Sequence, residues 1–279
     1  MHRLDARRLG RQALTFVLVV GALWGFWEAF RVLGEASGLR IGQFHPDDRT
    51  MPHIHDMFGQ FFEPSRRNGP LLISVLWDAA LFTAKEALLG FLMGAAAGFV
   101  LAVLLAHSRL LERGLLPFIV ALQTIPILAI APMVVVWLQK GSFAVSVIAA
   151  YLTFFPVTIN TLRGLLSANP SALELMRSYA ANKWAVLWKV RVPASMPYFF
   201  TALKVSATAS VVGAIIGELP SSIQGGLGGA ILNFNQYYLS SPPSLWATII
   251  VASLLGIVFF GAVALAERLV VRRAPENVA

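Results

Sequence analysis

The sequence predicts an all-α integral membrane protein with about six transmembrane helices and a helical cytoplasmic segment between the fourth and the fifth. Of its 279 residues, 57% are hydrophobic and only 13% are charged, about half the charged fraction of an ordinary globular domain. Six apolar runs have about the 20 residues that a helix needs to cross a bilayer. Basic residues flank these runs instead of forming a patch, so the net charge of +8 does not indicate nucleic-acid binding.

The predicted spans follow one another along most of the chain, at residues 13–33, 87–108, 114–139, 141–162, 192–217 and 245–266. The apolar segment 71–84, broken by Asp78, is either an interfacial helix or an extension of the second span. These assignments divide the chain into an N-terminus with the first span at 1–33, an external loop at 34–70, a core transmembrane domain at 71–273 and a cytoplasmic tail at 274–279.

The distribution of lysine and arginine predicts the orientation. With the N-terminus in the cytoplasm, 14 of the 22 basic residues lie on the inner side and 6 on the outer side. Both termini are therefore expected in the cytoplasm. Four arginines ahead of an apolar run also fit a cleaved signal peptide, but the run continues through Trp24 and Trp27 without a clear small-x-small site, which favours a retained helix.

Catalytic and metal-binding signals are weak in this sequence. It has no cysteine, and no Ser-His-Asp, paired-carboxylate or His-x-x-x-His arrangement falls on one face of a predicted span, so no catalytic residue is predicted. His53 and His55 form a close pair, but two histidines without a nearby third ligand are more often polar loop residues, so no metal site is predicted. No G-x-x-x-x-G-K-[ST] phosphate loop is present, and GGLGG at 225–229 is interpreted as an extracellular hinge.

The segment between the fourth and fifth spans predicts two short amphipathic helices. Asn169 before Pro170 is typical of an N-cap followed by proline at the first helical position. Ser171 with Glu174 is a competing capping box. The first helix is expected to end near Tyr179.

A turn at 180–182 is expected to lead into the second helix, which runs from 183 towards 191 and which Pro193 is expected to stop. Two interpretations of this helix pair remain open. The helices either anchor in lipid headgroups through their tryptophans or dock into a groove on a soluble partner.

The same segment, ELMRSYAANKW…VRVPASMPY, resembles the signature loop of ABC importer permeases, whose pattern is Glu-Ala-Ala, three residues, Gly, and a later Leu-Pro. Glu174 matches the glutamate, whereas Met176 stands for the second alanine, Ala180 for the glycine and Val192 for the leucine. LLPFIVALQTIPILAIAPMVVVWL and LTFFPVTINTLRGL are similar to the third and fourth helices of the nitrate, sulfonate and taurine permeases. TALKVSATASVVGAIIGELP is similar to the pyrimidine, thiamine-precursor and riboflavin branch. The resemblance covers roughly residues 80–273.

The resemblance implies a type I ABC importer permease fold in a bacterial inner membrane. It also implies a second permease copy, two ATPase subunits that hold ATP and Mg, and an external binding protein, with no cofactor on this chain. The alternative is a stand-alone secondary transporter or channel, for which Lys204 is the only mid-membrane charge. The residues expected to form the coupling helix and contact the ATPase are Ala172, Glu174, Met176, Arg177, Tyr179, Ala180, Ala181, Lys183 and Trp184.

The transport path and outer gate have weaker signals. Prolines and polar residues inside spans either line a cavity or merely kink and join helices. Glu218, at the outer end of the fifth span, is expected to face the cavity or to pair with a base. The path candidates are Gln123, Thr124, Pro126, Tyr151, Asn160 and Glu218. The amides and tyrosines at 224–238 are interpreted as a gate in preference to a substrate cradle, with candidates Gln224, Asn233, Asn235 and Tyr237.

Overall fold

The structure, a computed structural model, describes residues 2–38, 47–66, 68–139, 141–221 and 223–271. The predicted tail at 274–279 and residues 39–46 of the predicted external loop lie outside these ranges. The described part contains eleven α-helices, in chain order α1 (His2–Ala36), α2 (Ile54–Gly59), α3 (Leu72–His107), α4 (Arg109–Leu122), α5 (Ile127–Trp137), α6 (Ser142–Leu166), α7 (Pro170–Ser178), α8 (Lys183–Val186), α9 (Val192–Ser221), α10 (Leu227–Gln236) and α11 (Pro242–Val270).

The prediction of about six spans is confirmed. Five helical stretches of the described chain are long and apolar enough to cross a membrane, and α4 with α5 forms a sixth when the bent pair counts as one span. The segment 71–84 belongs to the long helix α3, so the structure favours an extension of the second span over a separate interfacial helix. A short helix, α2, lies in the predicted external loop.

The predicted third span, 114–139, is not one continuous helix. It breaks between α4 and α5 with a bend of 96°. The break comes at Pro126, which has extended backbone (φ −61°, ψ 118°) and precedes the first residue of α5. Proline lacks an amide hydrogen and disfavours helical backbone in the residue before it, so the helix ends ahead of Pro126. Pro132 and Pro156, by contrast, lie inside α5 and α6.

The described chain forms two compact units, residues 1–75 with 233–247 and residues 76–232 with 248–279. In the larger unit α6 packs between α3 and α9. Three glycines of α3, Gly90, Gly94 and Gly98, face α6 so closely that an added Cβ at Gly94 would lie 2.7 Å from the Cβ of Thr153. Gly213 of α9 approaches α6 in the same way, with 2.9 Å to the Cα of Ala149. Small residues let membrane helices approach to backbone contact.

In the smaller unit, aromatic and hydrogen-bonded contacts join the C-terminal part of α1 to the segments that follow it. The indole of Trp27 meets Trp246 edge to face with centroids 5.4 Å apart, and its Nε1 donates to the carbonyl of Pro52 at 3.3 Å. Tyr238 donates its hydroxyl to the carbonyl of Arg49. These contacts hold together residues that are distant in the sequence.

Candidate functional site

The helix α7 begins at an asparagine cap. The Asn169 side chain accepts the N–H of Ser171 at 2.9 Å, and Pro170 is the first helical residue. The competing capping box of Ser171 with Glu174 is therefore wrong, because Ser171 already lies inside the helix. Asn169 prevails because proline at the next position is preorganised for the first turn.

The C-terminus of α7 is closed by a Schellman motif. The N–H of Ala180 donates to the carbonyl of Arg177 at 2.9 Å, and the N–H of Ala181 donates to the carbonyl of Met176 at 3.0 Å. Ala180 has φ +50°, in the left-handed region where this motif ordinarily places glycine. The alanine that replaces the family glycine thus keeps the glycine backbone conformation.

The second helix does not end at Pro193. Asn182 caps α8 by accepting the N–H of Ala185 at 2.7 Å, and a π-helical stretch, Leu187–Arg191, leads directly into α9. The expectation that Pro193 stops the helix is wrong, because Pro193 is the second residue of α9 and lies in its first turn, where a missing amide hydrogen is tolerated. The π-helical stretch has wider hydrogen-bonded turns than an α-helix, which allows α8 to continue into α9 ahead of the proline.

The segment after α7 is fixed to the transmembrane helices by two contacts. Leu187 is 1% exposed within an apolar cluster that includes Leu105, Phe155 and Leu165. Arg191 donates from its guanidinium to the carbonyl of Ala106 at 2.9 Å, near the end of α3. These contacts join the segment to α3 and α6, as a coupling element would require.

The same segment also exposes large apolar side chains, although the ring of Trp184 lies 5.3 Å from that of His107 at the end of α3. Leu175 is 57% exposed, Tyr179 76%, Trp184 62% and Trp188 56%. Of the nine predicted coupling residues, Glu174, Arg177, Tyr179, Ala180, Lys183 and Trp184 are exposed, and Ala172, Met176 and Ala181 are partly buried. An exposed apolar set on two capped helices is a surface suited to a groove in a partner.

Four of the predicted path residues meet at the break between α4 and α5. Gln123 ends α4, Thr124 and Pro126 follow it, and all three are exposed. Tyr151 of α6 reaches this break and donates its hydroxyl to the carbonyl of Leu122 at 2.6 Å, a carbonyl at the end of α4 that also accepts the N–H of Ile125 at 3.2 Å. Asn160 lies elsewhere on α6, where its amide donates to the carbonyl of Pro156 at 2.9 Å.

Glu218, the sixth predicted path residue, lies in a fully buried polar cluster. Thr83 of α3 donates its hydroxyl to the carboxyl of Glu218 at 2.6 Å, and the N–H of Gly228 donates to the other oxygen at 2.5 Å. Thr83 also accepts the N–H of Leu227 at 2.8 Å. Glu218 thus connects α3, α9 and the first turn of α10.

Sequence reasoning missed Glu86, which is 4% exposed and faces Glu218 from α3. The available signal was its spacing. Thr83, Glu86, Gly90 and Gly94 recur at three- and four-residue intervals, so they share the face of α3 that packs into the protein. A carboxyl on that face cannot reach water.

The predicted gate residues fall into two groups. Asn233 is partly buried and Tyr237 is exposed, and both line a cavity of about 400 Å³ together with Arg66, Ser241 and Ser244. Gln224 lies in the turn between α9 and α10, and Asn235 lies on α10; both are exposed.

The histidine pair has a third neighbour that the sequence did not reveal. Glu28 of α1 joins His53 and His55, with one ligand atom from each residue within 4.8 Å of the others. Glu28 contacts the Nδ1 of His53 at 2.7 Å. Arg31, however, places its guanidinium against both ring nitrogens of His53 and also pairs with Asp48. A fixed positive charge beside the imidazole opposes cation binding, so this cluster is better suited to tethering α1 to the following segment.

Lys204, the candidate ion-coupling charge, has a partner. Its ammonium lies 2.7 Å from the carboxyl of Glu267 on α11, and each side chain is 24% exposed. An ion pair between two spans neutralises both charges in the membrane. This pairing compensates the charge that a stand-alone transporter would use to couple an ion.

The chain is similar in sequence to known transport proteins. Residues 94–272 match the family described as binding-protein-dependent transport system inner membrane component. The chain is 33% identical to the formylaminopyrimidine transport permease protein ThiX of Halalkalibacterium halodurans, over 63% of this chain and 69% of that protein. It is 31% identical to the riboflavin transport system permease protein RibX of Chloroflexus aurantiacus, over 71% and 73%. The nitrate import permease protein NrtB of Leptolyngbya laminosa is 25% identical over 88% and 84%.

The matched region contains residues 170–191, which we call the coupling segment. It also contains the break between α4 and α5, and Glu218. The chain is therefore a non-enzymatic, multi-pass transport subunit, and it belongs to the family of binding-protein-dependent transport system inner membrane components, the permeases of ABC importers.

Proposed function

We propose that two copies of this permease form the translocation path of an importer, with one ATPase docked on the coupling segment of each copy and a binding protein on the outer side. ATP binding closes the ATPase pair and draws the two coupling segments together. The cavity then changes from inward facing to outward facing. Both termini and the coupling segment lie in the cytoplasm in this proposal.

The observation that carries the proposal is that the coupling segment is both exposed and fixed. Tyr179 is 76% exposed, whereas Leu187 and Arg191 fix the segment to the transmembrane helices. Trp184 contributes to both, since it is 62% exposed and its ring lies against His107. Anchoring in lipid headgroups explains why the tryptophans are exposed. It gives no reason for the hydrogen-bonded turn at Ala180 that precedes them. A partner groove that receives the turn and moves it accounts for both features.

The proposed solute is a small heterocyclic compound. The relatives named for formylaminopyrimidine and riboflavin transport are 33% and 31% identical to this chain, whereas the nitrate permease is 25% identical. The binding protein selects the solute in this arrangement. Calorimetric titration of the binding protein encoded with this chain, using a pyrimidine, riboflavin and an aliphatic sulfonate, tests the class directly, and preference for the sulfonate would contradict it.

The function itself is tested by purification and reconstitution. The tagged chain is expected to co-purify with the ATPase encoded beside it. Vesicles that hold both, with binding protein added, are expected to take up solute only when ATP is supplied to the ATPase side. Removal of ATP or Mg is expected to stop uptake. The partner ATPase is expected to bind ATP, since this chain has no phosphate-loop motif.

The competing function predicts a different result in the same vesicles. A secondary transporter needs no ATPase and responds to an imposed ion gradient. Uptake by the chain alone under such a gradient, with no requirement for ATP, would sink the importer proposal. The pairing of Lys204 with Glu267 argues against that outcome.

A further inference from the structure

The buried cluster around Glu218 joins three helices through short hydrogen bonds. The Glu218 carboxyl accepts the Thr83 hydroxyl and the N–H of Gly228, and Thr83 in turn accepts the N–H of Leu227. These two N–H groups belong to the first turn of α10, where a helix has amide hydrogens without internal partners. Glu218 and Thr83 therefore cap α10 from neighbouring helices.

The turn that leads into α10 has a sequence that permits this approach. A Cβ added at Gly226 would overlap the Glu218 carboxyl, and a Cβ at Gly228 would lie 2.5 Å from the carbonyl oxygen of Ile215 and 2.7 Å from the Cβ of Glu218. Only glycine fits at these positions without displacing the carboxyl. The glycine-rich turn is thus shaped around Glu218 and is more than a flexible hinge.

Glu86 adds a second carboxyl to the cluster. Its oxygens are buried and have no partner in hydrogen-bonding geometry among the described residues, although the carboxyl faces Glu218 and the Ser142 hydroxyl. Glu86 therefore makes no hydrogen bond to α10, whereas Glu218 accepts hydrogen bonds from Thr83 and Gly228.

We propose that Glu218 and Thr83 form a latch that holds the first turn of α10 against α3 and α9, and that the outer gate opens only when this latch is released. The proposal rests on the importer function proposed above, in which α10 and the turn before it lie on the outer side. Glu218 and Thr83 are positioning residues here, since they act on the gate and not on the solute.

The latch determines which state the resting permease occupies. While it is closed, the outer gate is shut and the coupling segments are apart. Loss of a buried hydrogen bond that leaves its partner unsatisfied changes such an equilibrium by a factor of about 10 to 100, and a weakened latch shifts the population towards the outward-facing state. The ATPases then meet without the signal that the loaded binding protein ordinarily supplies.

Substitutions in the reconstituted importer test this proposal. Glu218→Gln and Thr83→Val are expected to raise ATP hydrolysis without binding protein about tenfold, at the lower end of that range, and to lower the solute imported per ATP. Thr83→Ser, which keeps the hydroxyl, is expected to retain wild-type coupling. Thr208→Val is the matched control, because the Thr208 hydroxyl is exposed and bonds only to the carbonyl of Val205 in its own helix.

Wild-type coupling in Thr83→Val would overturn the latch, because valine keeps the shape of threonine and lacks only the hydroxyl; a purely steric role would instead impair Thr83→Ser. Wild-type coupling in Glu218→Gln would overturn it as well. If Glu218→Gln does not assemble, the Thr83 pair decides the question alone. Glu86→Gln is expected to affect hydrolysis less than Glu218→Gln, because Glu86 makes none of the hydrogen bonds of the latch, and the opposite order would contradict the proposal.

A cross-link tests the contact independently of transport. The chain has no cysteine, and the Thr83 hydroxyl lies 2.8 Å from the amide nitrogen of Leu227. Cysteines at both positions are expected to join on oxidation with copper phenanthroline, and the joined permease is expected to import less solute than the same variant after reduction. Failure to cross-link would contradict the contact, and full import while cross-linked would contradict its release. Wild-type permease that imports nothing with ATP would instead count against the proposed function, while the cross-link still tests the contact.

Discussion

Ala180 holds the turn between α7 and α8 in a conformation that is unfavourable for alanine. Its φ of +50° places Cβ near the following carbonyl, which costs a non-glycine residue about 1–2 kcal/mol. Two hydrogen bonds of the Schellman motif, from Ala180 and Ala181, hold the backbone there. The side chain at this position is exposed, so it contributes nothing inside the permease and is free to meet the proposed ATPase.

Substitutions at Ala180 separate backbone strain from contact with the partner. Ala180→Gly is expected to stabilise the turn by about 1 kcal/mol and to keep transport, because glycine adopts positive φ without cost. Ala180→Glu carries the same backbone strain as alanine, yet adds bulk and charge where the turn enters the partner. The expected result is an intact permease that no longer retains the ATPase or imports solute, measured by co-purification and uptake.

Ala180→Ser is the control for Ala180→Glu, since it keeps both the small size and the strain. Expression and oligomer size are expected to be the same in all three variants. Full ATPase retention by Ala180→Glu would mean that the two helices are membrane anchors.

At the scale of helices, α3 packs against α6 at backbone contact. The glycines of α3 let its backbone reach α6, where a Cβ at Gly94 would meet Thr153 at 2.7 Å. By contrast, an added Cβ at Gly256 of α11 has no neighbour within 4 Å. Glycine therefore serves helix contact at the first position and has no such role at the second.

This difference predicts opposite effects for the same substitution. Gly94→Ala is expected to destabilise the detergent-solubilised permease by about 1–3 kcal/mol, the usual cost of overpacking. Gly256→Ala is expected to be neutral or to stabilise by up to about 1 kcal/mol, because alanine is the better helix former. Thermal unfolding followed by size-exclusion chromatography measures both. A lower midpoint for Gly256→Ala than for Gly94→Ala would contradict the assigned helix contact.

At the scale of the whole molecule, the proposed topology places the segment before α3 outside and the coupling segment inside. The absence of cysteine makes single-cysteine labelling direct. Glu63 and Ser171 are both exposed, so a cysteine at either position is accessible to a reagent on its own side. Glu63→Cys is expected to react with an impermeant maleimide in intact cells, and Ser171→Cys only after permeabilisation. The reverse pattern would invert the topology and remove the coupling segment from the ATPase side.

Much of the molecule was predictable from the sequence because its determinants are local. Runs of about 20 apolar residues specify membrane helices, because the bilayer core holds no water to bond backbone N–H and C=O groups, and a helix pairs these groups within itself. The Asn169–Pro170 cap and the turn at 180–182 follow from adjacent residues. The resemblance of this segment to the ABC permease signature depended on the same local residues, and the matched family confirms it.

Other features were decided only by tertiary contacts. At the break between α4 and α5, a carbonyl of α4 accepts a hydrogen bond from Tyr151 on another helix. Pro193 continues a helix because a π-helical stretch precedes it, and Leu187 and Arg191 hold that stretch against the transmembrane helices. The positive charge of Lys204 is compensated because the carboxyl of Glu267, 63 residues away in sequence, lies beside it. Glu218 was recognised as unusual from the sequence, but its partners come from α3 and α10. A buried charge is tolerated according to what surrounds it in space, and local sequence does not contain that information.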